Sequence, residues 1–272
     1  MTRAGAILLA LLLAGVAPGM ARGAAPSDAY PDIARAYWVE IDNQPIWAGR
    51  PDERLPMASL TKLMTALLVA ETADLDAVVT VDAAVASETG TRIGLRPGER
   101  VQARDLFTAM LVRSANDACR ALADWQGGNQ ARFVARMNAR AVALGLRDTH
   151  YNDACGHDGP GQYSSVRDLA TLAHAALGQP AILAAAAQRD FRFRSVDGRV
   201  HAMHSTNALL GIVPGTKGLK TGYTPGAGRC LVALAERDGV RVLAVLLHAP
   251  DRWWDSAGLL ELAFARARQP RP

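Results

Sequence analysis

Three short stretches carry residue types that could do chemistry together. The first, Ser59-Leu60-Thr61-Lys62, opens an apolar run. On a helix, a spacing of three sets the hydroxyl and the amine on one face, a turn apart. A serine hydroxyl is a poor nucleophile at its ordinary pKa and needs a neighbouring base. Lysine becomes that base when burial and a nearby cation bring its pKa down from about 10.4 toward neutrality. The second, Ser114-Ala115-Asn116, follows the apolar run Leu106–Val112 and offers a hydroxyl for proton relay and an amide for a substrate carbonyl. The third, Lys220-Thr221-Gly222 with Tyr223-Thr224 after it, offers a cation and a hydroxyl for a carboxylate. Its glycine lets backbone approach closely. Singly, each stretch is ordinary: a capping serine, turn residues, a loop lysine. In this order on one chain they supply a nucleophile, a base and an anion-binding cation.

The basic residues sharpen that reading. Of 30 Lys and Arg, Lys62, Lys217 and Lys220 are the lysines and the other 27 are arginine. Arginine keeps its proton, so a lysine retained in such a chain points to a task that needs proton loss. Lys62 and Lys220 fall inside the motifs, whereas Lys217 reads as solvated surface.

The elements that must position these groups follow from periodicity and turn chemistry. Ala36–Ile41 and Ile46–Ala48 read as strands joined around Asp42-Asn43. Ser59–Ala73 carries Leu60, Leu63, Met64, Leu67 and Leu68 at helical spacing. Leu75–Val81, Thr91–Ile93 and Gly94–Val101 read as short extended pieces. Arg104–Leu144 is helical, interrupted at Gly127-Gly128 and closed by Gly145, and a further helix covers Ser165–Leu177. Beyond Pro180, Phe191–Arg194 alternates like a strand, and Gly215–Gly228 is rich in glycine and turn residues. Cys230–Ala235 and Arg241–His248 form a hairpin of core strands across Glu236–Gly239, and Leu259–Arg268 is a last helix. The expected architecture brings both chain ends into one sheet, with a helical part of about 76–200 inserted between them.

Composition excludes several classes. The 272 residues are 50% hydrophobic, 21% charged and 6% aromatic, which is globular rather than disordered or collagen-like. A net charge of +4 with scattered basic residues does not imply nucleic acid. Arg3 precedes the apolar stretch Ala6–Ala17, broken by Pro18 and Gly19, with small residues leading to Ala21. We read residues 1–21 as a secretory signal peptide cleaved near Ala21, the run being too short to span a bilayer. Export to an oxidising compartment permits one disulfide among Cys119, Cys155 and Cys230 and leaves one thiol over. Cys119 and Cys230 read as buried small hydrophobes. No metal or cofactor is expected, since His201-Ala202-Met203-His204 has no convergent third ligand. Trp253-Trp254 reads as packing.

The trio of motifs resembles that of the penicillin-binding proteins and class A β-lactamases. The longer runs Ala58–Ala66, Ser114–Ala118, Phe133-Val134 with Met137-Asn138, Tyr163–Ser165 with Asp168–Ala170, and Gly218–Thr224 are similar to low-molecular-mass D-alanyl-D-alanine carboxypeptidases. The resemblance covers about residues 30–265. It implies an α/β fold of the α+β type, an antiparallel sheet flanked by helices with a mostly helical subdomain. One catalytic domain is expected over 22–272, without the C-terminal β domain that many relatives have. It implies a serine-type carboxypeptidase that removes the terminal D-alanine from peptidoglycan stem peptides, in cell-wall biogenesis. Ser59 would be the nucleophile, Lys62 the base and Ser114 a proton relay. Asn116, Lys220, Thr221, Gly222 and Tyr223 would bind substrate, and the backbone N–H groups of Ser59 and Tyr223 would form an oxyanion hole. β-Lactams would acylate Ser59 as covalent inhibitors. The implied location is the periplasm, soluble or loosely membrane-associated, with no firm anchor.

Departures from the family pattern are specific. Ala115 replaces a frequent glycine, Asn152–His157 replaces the usual Asn-Pro-x-Gly-Leu, and Arg252 is the candidate for a carboxylate-holding arginine. A class A β-lactamase needs a deacylating glutamate between the second and third motifs, and none occurs between Glu99 and Glu236. A D,D-endopeptidase cutting cross-links shares the trio and is the alternative. A non-catalytic penicillin-sensing module would have lost part of the trio, and this chain keeps all of it.

Overall fold

The computed structural model describes residues 26–269, so the leader expected at 1–21 lies outside the described residues. Strands β1 (Ala36–Ile41) and β2 (Gln44–Gly49) pair across Asp42 and Asn43, both at positive φ. That two-residue left-handed turn matches the right-handed twist of the strands it joins. The same device, Asp238-Gly239, joins β8 (Gly228–Arg237) to β9 (Val240–Ala249). All pairings in the main sheet are antiparallel, in the order β2-β1-β9-β8-β7, where β7 spans Thr216–Thr224. The sheet therefore joins residues before position 50 to residues after 215.

Alternation along these strands divides the sheet between two cores. Val232 and Leu234 of β8 and Leu243, Val245 and Leu247 of β9 face the helical layer. Leu231 and Ala233, with Val242, Ala244 and Leu246, face the last helix, α9 (Arg252–Ala267). Burial on both faces is why these strands read as continuous apolar runs. Each large apolar side chain so buried contributes about 1.5–3 kcal/mol.

The helical layer is built around α1 (Lys62–Thr72), buried on every side from Lys62 to Val69. A helix apolar all round belongs in an interior, and that placement carries Lys62 inward. A short 3-10 helix, Ala58–Thr61, leads into α1. Around it lie α2 (Ala83–Ala86), α3 (Ala103–Val112), α4 (Asn116–Gly127), α5 (Gln130–Ala143), α6 (Val166–Leu177) and α7 (Pro180–Ala186). Side-chain caps from Asn129 and Ser165 start α5 and α6, and Pro180 opens α7. Two small ribbons complete it: β3 (Val78–Thr80) with β4 (Arg100–Gln102), and β5 (Asp190–Arg194) with β6 (Val200–His204). The four-residue helix α8 (Leu209–Ile212) precedes β7.

The fold class matches the resemblance, and several local expectations are corrected. Gly215–Gly228 is mostly strand β7 rather than a turn region, because its residues pair with β8 from Thr216 to Thr224. Thr91–Ile93 is a loop, held by side chains of α4 instead of a ladder. The helical run breaks at Ser114 as well as at Gly128, because Ser114 is left-handed with φ 62°. The last helix begins at Arg252, capped by Asp251, not at Leu259. His201 is buried against Glu99, with Nε2···Oε1 at 2.7 Å. Trp253 packs on the α9 core as expected, but Trp254 is 81% exposed. Among the described residues no single helix is long and apolar enough to cross a membrane.

Candidate active site

The nucleophile candidate is presented by strain and by close backbone approach. Ala58 has φ 48° just before Ser59, at the entrance to the 3-10 helix. Non-glycine residues rarely adopt this conformation outside constrained sites. Two glycines make room for it. A Cβ on Gly156 would stand 2.1 Å from the Ala58 carbonyl oxygen, and one on Gly222 would stand 3.1 Å from the Ser59 nitrogen. Gly222 thus sets β7 against the backbone of Ser59, placing Tyr223 beside it.

Ser59 and Lys62 meet as the spacing requires, with Lys62 Nζ 2.9 Å from Ser59 Oγ. The amine is fully buried, 2.7 Å from Asn116 Oδ1, and donates also to the Cys155 carbonyl. Burial lowers its pKa to about 7, against the opposing charges of Asp153 and Glu88. Desolvation therefore comes first here, and the like-charge effect of Lys220 expected from the motif is not among the causes that lower Lys62. Lys220 is also buried, and its pKa is pushed well below the ordinary value by burial first, then by Lys62 and Arg252. Its Nζ donates to Ser114 Oγ and to the Thr221 carbonyl, each at 2.8 Å. Thr221 Oγ1 lies 2.7 Å from Thr206 Oγ1. Seven motif residues, Ser59, Lys62, Ser114, Asn116, Lys220, Thr221 and Gly222, thus share one site. Tyr223 lies on its rim, 61% exposed.

The walls use residues that the motifs do not reveal. Asp117 accepts from the backbone nitrogens of Ile93 (3.1 Å), Gly94 (2.8 Å) and Leu95 (3.1 Å). Asn116 anchors the same loop, through its nitrogen to the Thr91 carbonyl and its Nδ2 to the Thr89 carbonyl, each at 2.7 Å. On the opposite wall, Asp153 accepts from the nitrogens of Cys155 and His157 at 2.8 and 3.0 Å, and from Gly156. Burial raises the Asp153 pKa, but His157 and the amides outweigh it and hold the carboxyl at about 2. His157 lies between carboxylates, its Nδ1 3.2 Å from Asp153 and its Nε2 3.4 Å from Glu88. The Asp153 bond raises its pKa against the effect of burial. A cleft of about 930 Å³ runs past Ser59 between Arg92, Asn116, His157 and Tyr223.

Cys119 is corrected from a free hydrophobe to a disulfide partner of Cys155, and Cys230 is the buried free thiol. The only forewarning was the permissive count of three cysteines. Asp117 lies within Ser114–Ala118, but its residue type and position alone do not assign it a task. Arg252 donates to the Gly222 carbonyl, and its Nε is buried without a hydrogen-bond partner among the described residues.

An antiparallel sheet whose edge strand packs directly on the backbone of a serine, with a buried lysine of the helical layer beside it, defines the fold class of penicillin-binding serine peptidases. The chain belongs to the peptidase S11 family, D-alanyl-D-alanine carboxypeptidase, whose profile matches residues 25–251. It is 33% identical to D-alanyl-D-alanine carboxypeptidase DacC of Escherichia coli, over 86% of this chain and 62% of that one. It is 33% identical to DacB2 of Mycobacterium tuberculosis, over 86% of this chain and 84% of the relative. Among solved structures, the Streptomyces K15 DD-transpeptidase superposes with a TM-score of 0.81 at 29% identity, over 86% of this chain and 97% of that one. The chain spans about 60% of the length of the first curated relatives it matches.

Proposed function

We propose that this chain is a serine-type D-Ala-D-Ala carboxypeptidase that releases the terminal D-alanine from peptidoglycan stem peptides through an acyl-enzyme on Ser59. The observation that carries this reading is the 2.9 Å contact between Ser59 Oγ and a fully buried lysine whose pKa is lowered to about 7. A neutral amine there keeps two N–H bonds, to Asn116 Oδ1 and the Cys155 carbonyl, and turns its lone pair to the Ser59 hydroxyl. It takes the hydroxyl proton as the oxygen attacks the carbonyl between the two D-alanines. The proton reaches the leaving amine through Lys62 or the Ser114–Lys220 pair, and free D-alanine departs. Water then hydrolyses the ester, with the same groups moving its proton.

Binding roles follow from placement. Lys220, Thr221 and Arg252 offer charge and donors for the terminal carboxylate, Asn116 borders the acyl side, and the N–H groups of Ser59 and Tyr223 form the oxyanion hole. In this reading the sheet-forming ends and the helical part of about 76–200 are the two walls of one catalytic domain. β-Lactams acylate Ser59 in place of the peptide. Export by the 1–21 leader to the periplasm accords with the Cys119–Cys155 disulfide, which an oxidising compartment sustains.

A second reading, acyl transfer to an amine, is favoured by the likeness to the Streptomyces K15 DD-transpeptidase. Cleavage of cross-links is the hydrolytic alternative. Purified protein and a Ser59→Ala variant are incubated with diacetyl-Lys-D-Ala-D-Ala and with a fluorescent penicillin. D-Alanine release and covalent labelling, both lost in the variant, are expected. Labelling without release from this peptide shifts the assignment to cross-linked substrates or amine acceptors, and absence of both from folded protein overturns the catalytic reading.

A further inference from the structure

Besides Ser59 Oγ, the two groups that accept hydrogen bonds from Lys62 lie on separate chain segments, and one covalent bond joins those segments. Asn116 Oδ1 comes from the first turn of α4, and Cys119 lies three residues further, on the same face. The other acceptor is the carbonyl of Cys155 itself. Cys119 and Cys155 are fully buried, with Cα atoms 5.8 Å apart. Cys155 belongs to the segment 153–158, which is otherwise tied to α1 by Thr65 Oγ1 donating to the Ala154 carbonyl at 2.6 Å. It is tied to the far side of the cleft by Asp158, which accepts from Thr224 Oγ1 at 2.6 Å and the Gly226 nitrogen at 3.0 Å. Against α4 its other side-chain hydrogen bond among the described residues is Asn116 Nδ2···His157 Nε2 at 3.2 Å. The disulfide sulfurs carry no hydrogen and only touch carbonyl oxygens, Cys119 Sγ that of Ala154 at 3.3 Å and Cys155 Sγ that of Asn116 at 3.7 Å.

We propose that the Cys119–Cys155 disulfide is a positioning element for Lys62, fixing the span between α4 and the 153–158 segment so that both acceptors of the amine stay on it and water stays out. The inference rests on the assignment of Lys62 as general base. Its physical content is local. The amine's low pKa comes from burial first, opposed by Asp153 from the segment and Glu88 from beyond α2, with Lys220 of β7 and His157 as the neighbouring cationic groups. Separating the two walls would let water reach the amine. Its proton affinity would rise, and the reactive neutral form would become scarcer at neutral pH.

The test compares wild type, the double variant Cys119→Ala/Cys155→Ala, and Cys230→Ala, which keeps the disulfide and removes the spare thiol. Acylation by fluorescent penicillin is followed against pH, with melting temperature measured alongside. The lysine Cε resonances, three in this chain, are titrated in protein labelled at lysine, which reads Lys62 without any substrate. Cys230→Ala is expected to match wild type. The folded double variant is expected to acylate about ten- to a hundredfold more slowly at pH 7, the scale of a misplaced catalytic group. Its acid limb and its Lys62 resonance should both move to higher pH. If the double variant does not fold, wild type is treated with a dithiol, which reduces the disulfide to two cysteine thiols while itself being oxidised to a cyclic disulfide, and the same titration is read below the melting temperature. A lower melting temperature with unchanged acylation rate, acid limb and lysine titration would leave the disulfide a mere staple and overturn the proposal. So would three free thiols in the active protein purified from an oxidising compartment. A wild type that shows a Lys62 titration near 7 but no labelling by penicillin would instead count against the functional assignment.

Discussion

On one face of the five-stranded sheet, α9 closes a core made of aliphatic and aromatic side chains, with Leu259, Leu260, Ala263 and Phe264 against Val242, Ala244 and Leu246. On the other face, the helical layer buries Lys62, Ser114, Asn116, Asp117 and Lys220 beside its leucines and alanines. Each of these polar groups has hydrogen-bond partners, because an unpaired buried donor or acceptor costs about 1–3 kcal/mol. The α9 face can repack around any apolar group of suitable volume. The helical face cannot, since every bond there fixes an orientation as well as a distance. The same sheet thus carries a side devoted to stability and a side where stability has been exchanged for reactivity.

Substitutions can break that division, beginning with the largest effect. Lys62→Arg keeps a cation that cannot give up its proton, so acylation by penicillin is expected to fall by about 10²–10⁴, the worth of a general base. In wild type the same step should lose rate as pH drops through about 7, where Lys62 takes up its proton. The linked effect on stability has the opposite occupancy in view. Between about 7 and the ordinary lysine value of 10.5 the unfolded chain binds the extra proton, so this group's contribution makes stability rise with pH across that window. Denaturant midpoints at pH 7 and 9, compared for wild type and Lys62→Met, check the sign.

On the α9 face, Phe264→Ala should cost about 3–5 kcal/mol in unfolding free energy. Acylation per folded molecule should stay the same, which active-site titration after mild denaturant melts would read. A matching loss of acylation rate would mean that the two faces are coupled through the sheet. A smaller effect is expected for Asp117→Asn on the helical face. It removes a charged acceptor of three backbone amides at Ile93, Gly94 and Leu95, worth about 1.5–3 kcal/mol. Here stability and KM should both suffer, because the freed loop lines the cleft. Smallest is the acid response of Asp153. Its carboxyl is held at about 2, so its stabilisation is complete above the ordinary carboxyl value of 3.8 and is lost as pH falls toward 2. Asp153→Asn should flatten that part of the acid unfolding curve.

How much of this was legible in the sequence follows the same division. The hairpins β1–β2 and β8–β9 could be read because Asp42-Asn43 and Asp238-Gly239 are left-handed turn residues between apolar runs. Helix α1 could be read from its leucines. Strand β7 could not, because Lys217, Gly218, Lys220 and Gly222 alternate with its threonines, and lysine and glycine are depleted in strands. The trio announced which residues would converge, since their types and order are constrained by chemistry. The wall at 153–158 was opaque, as its turn is held by Asp153 capping its own amides and by a disulfide of separation 36. Three cysteines permit three pairings, and tertiary structure alone selects one.

The pairing of β1 with β9 also has a chronology. Ser59 and Lys62 are made early, yet the strand bearing Lys220 and the partner that completes β1 come from the last quarter of the chain. At synthesis rates of about 5–20 residues per second, that separation amounts to roughly ten to thirty seconds during which the nucleophile exists without its site. On the proposed reading, a chain that still lacks these strands has no assembled site. Any process that keeps the last strands waiting would then keep the serine unreactive.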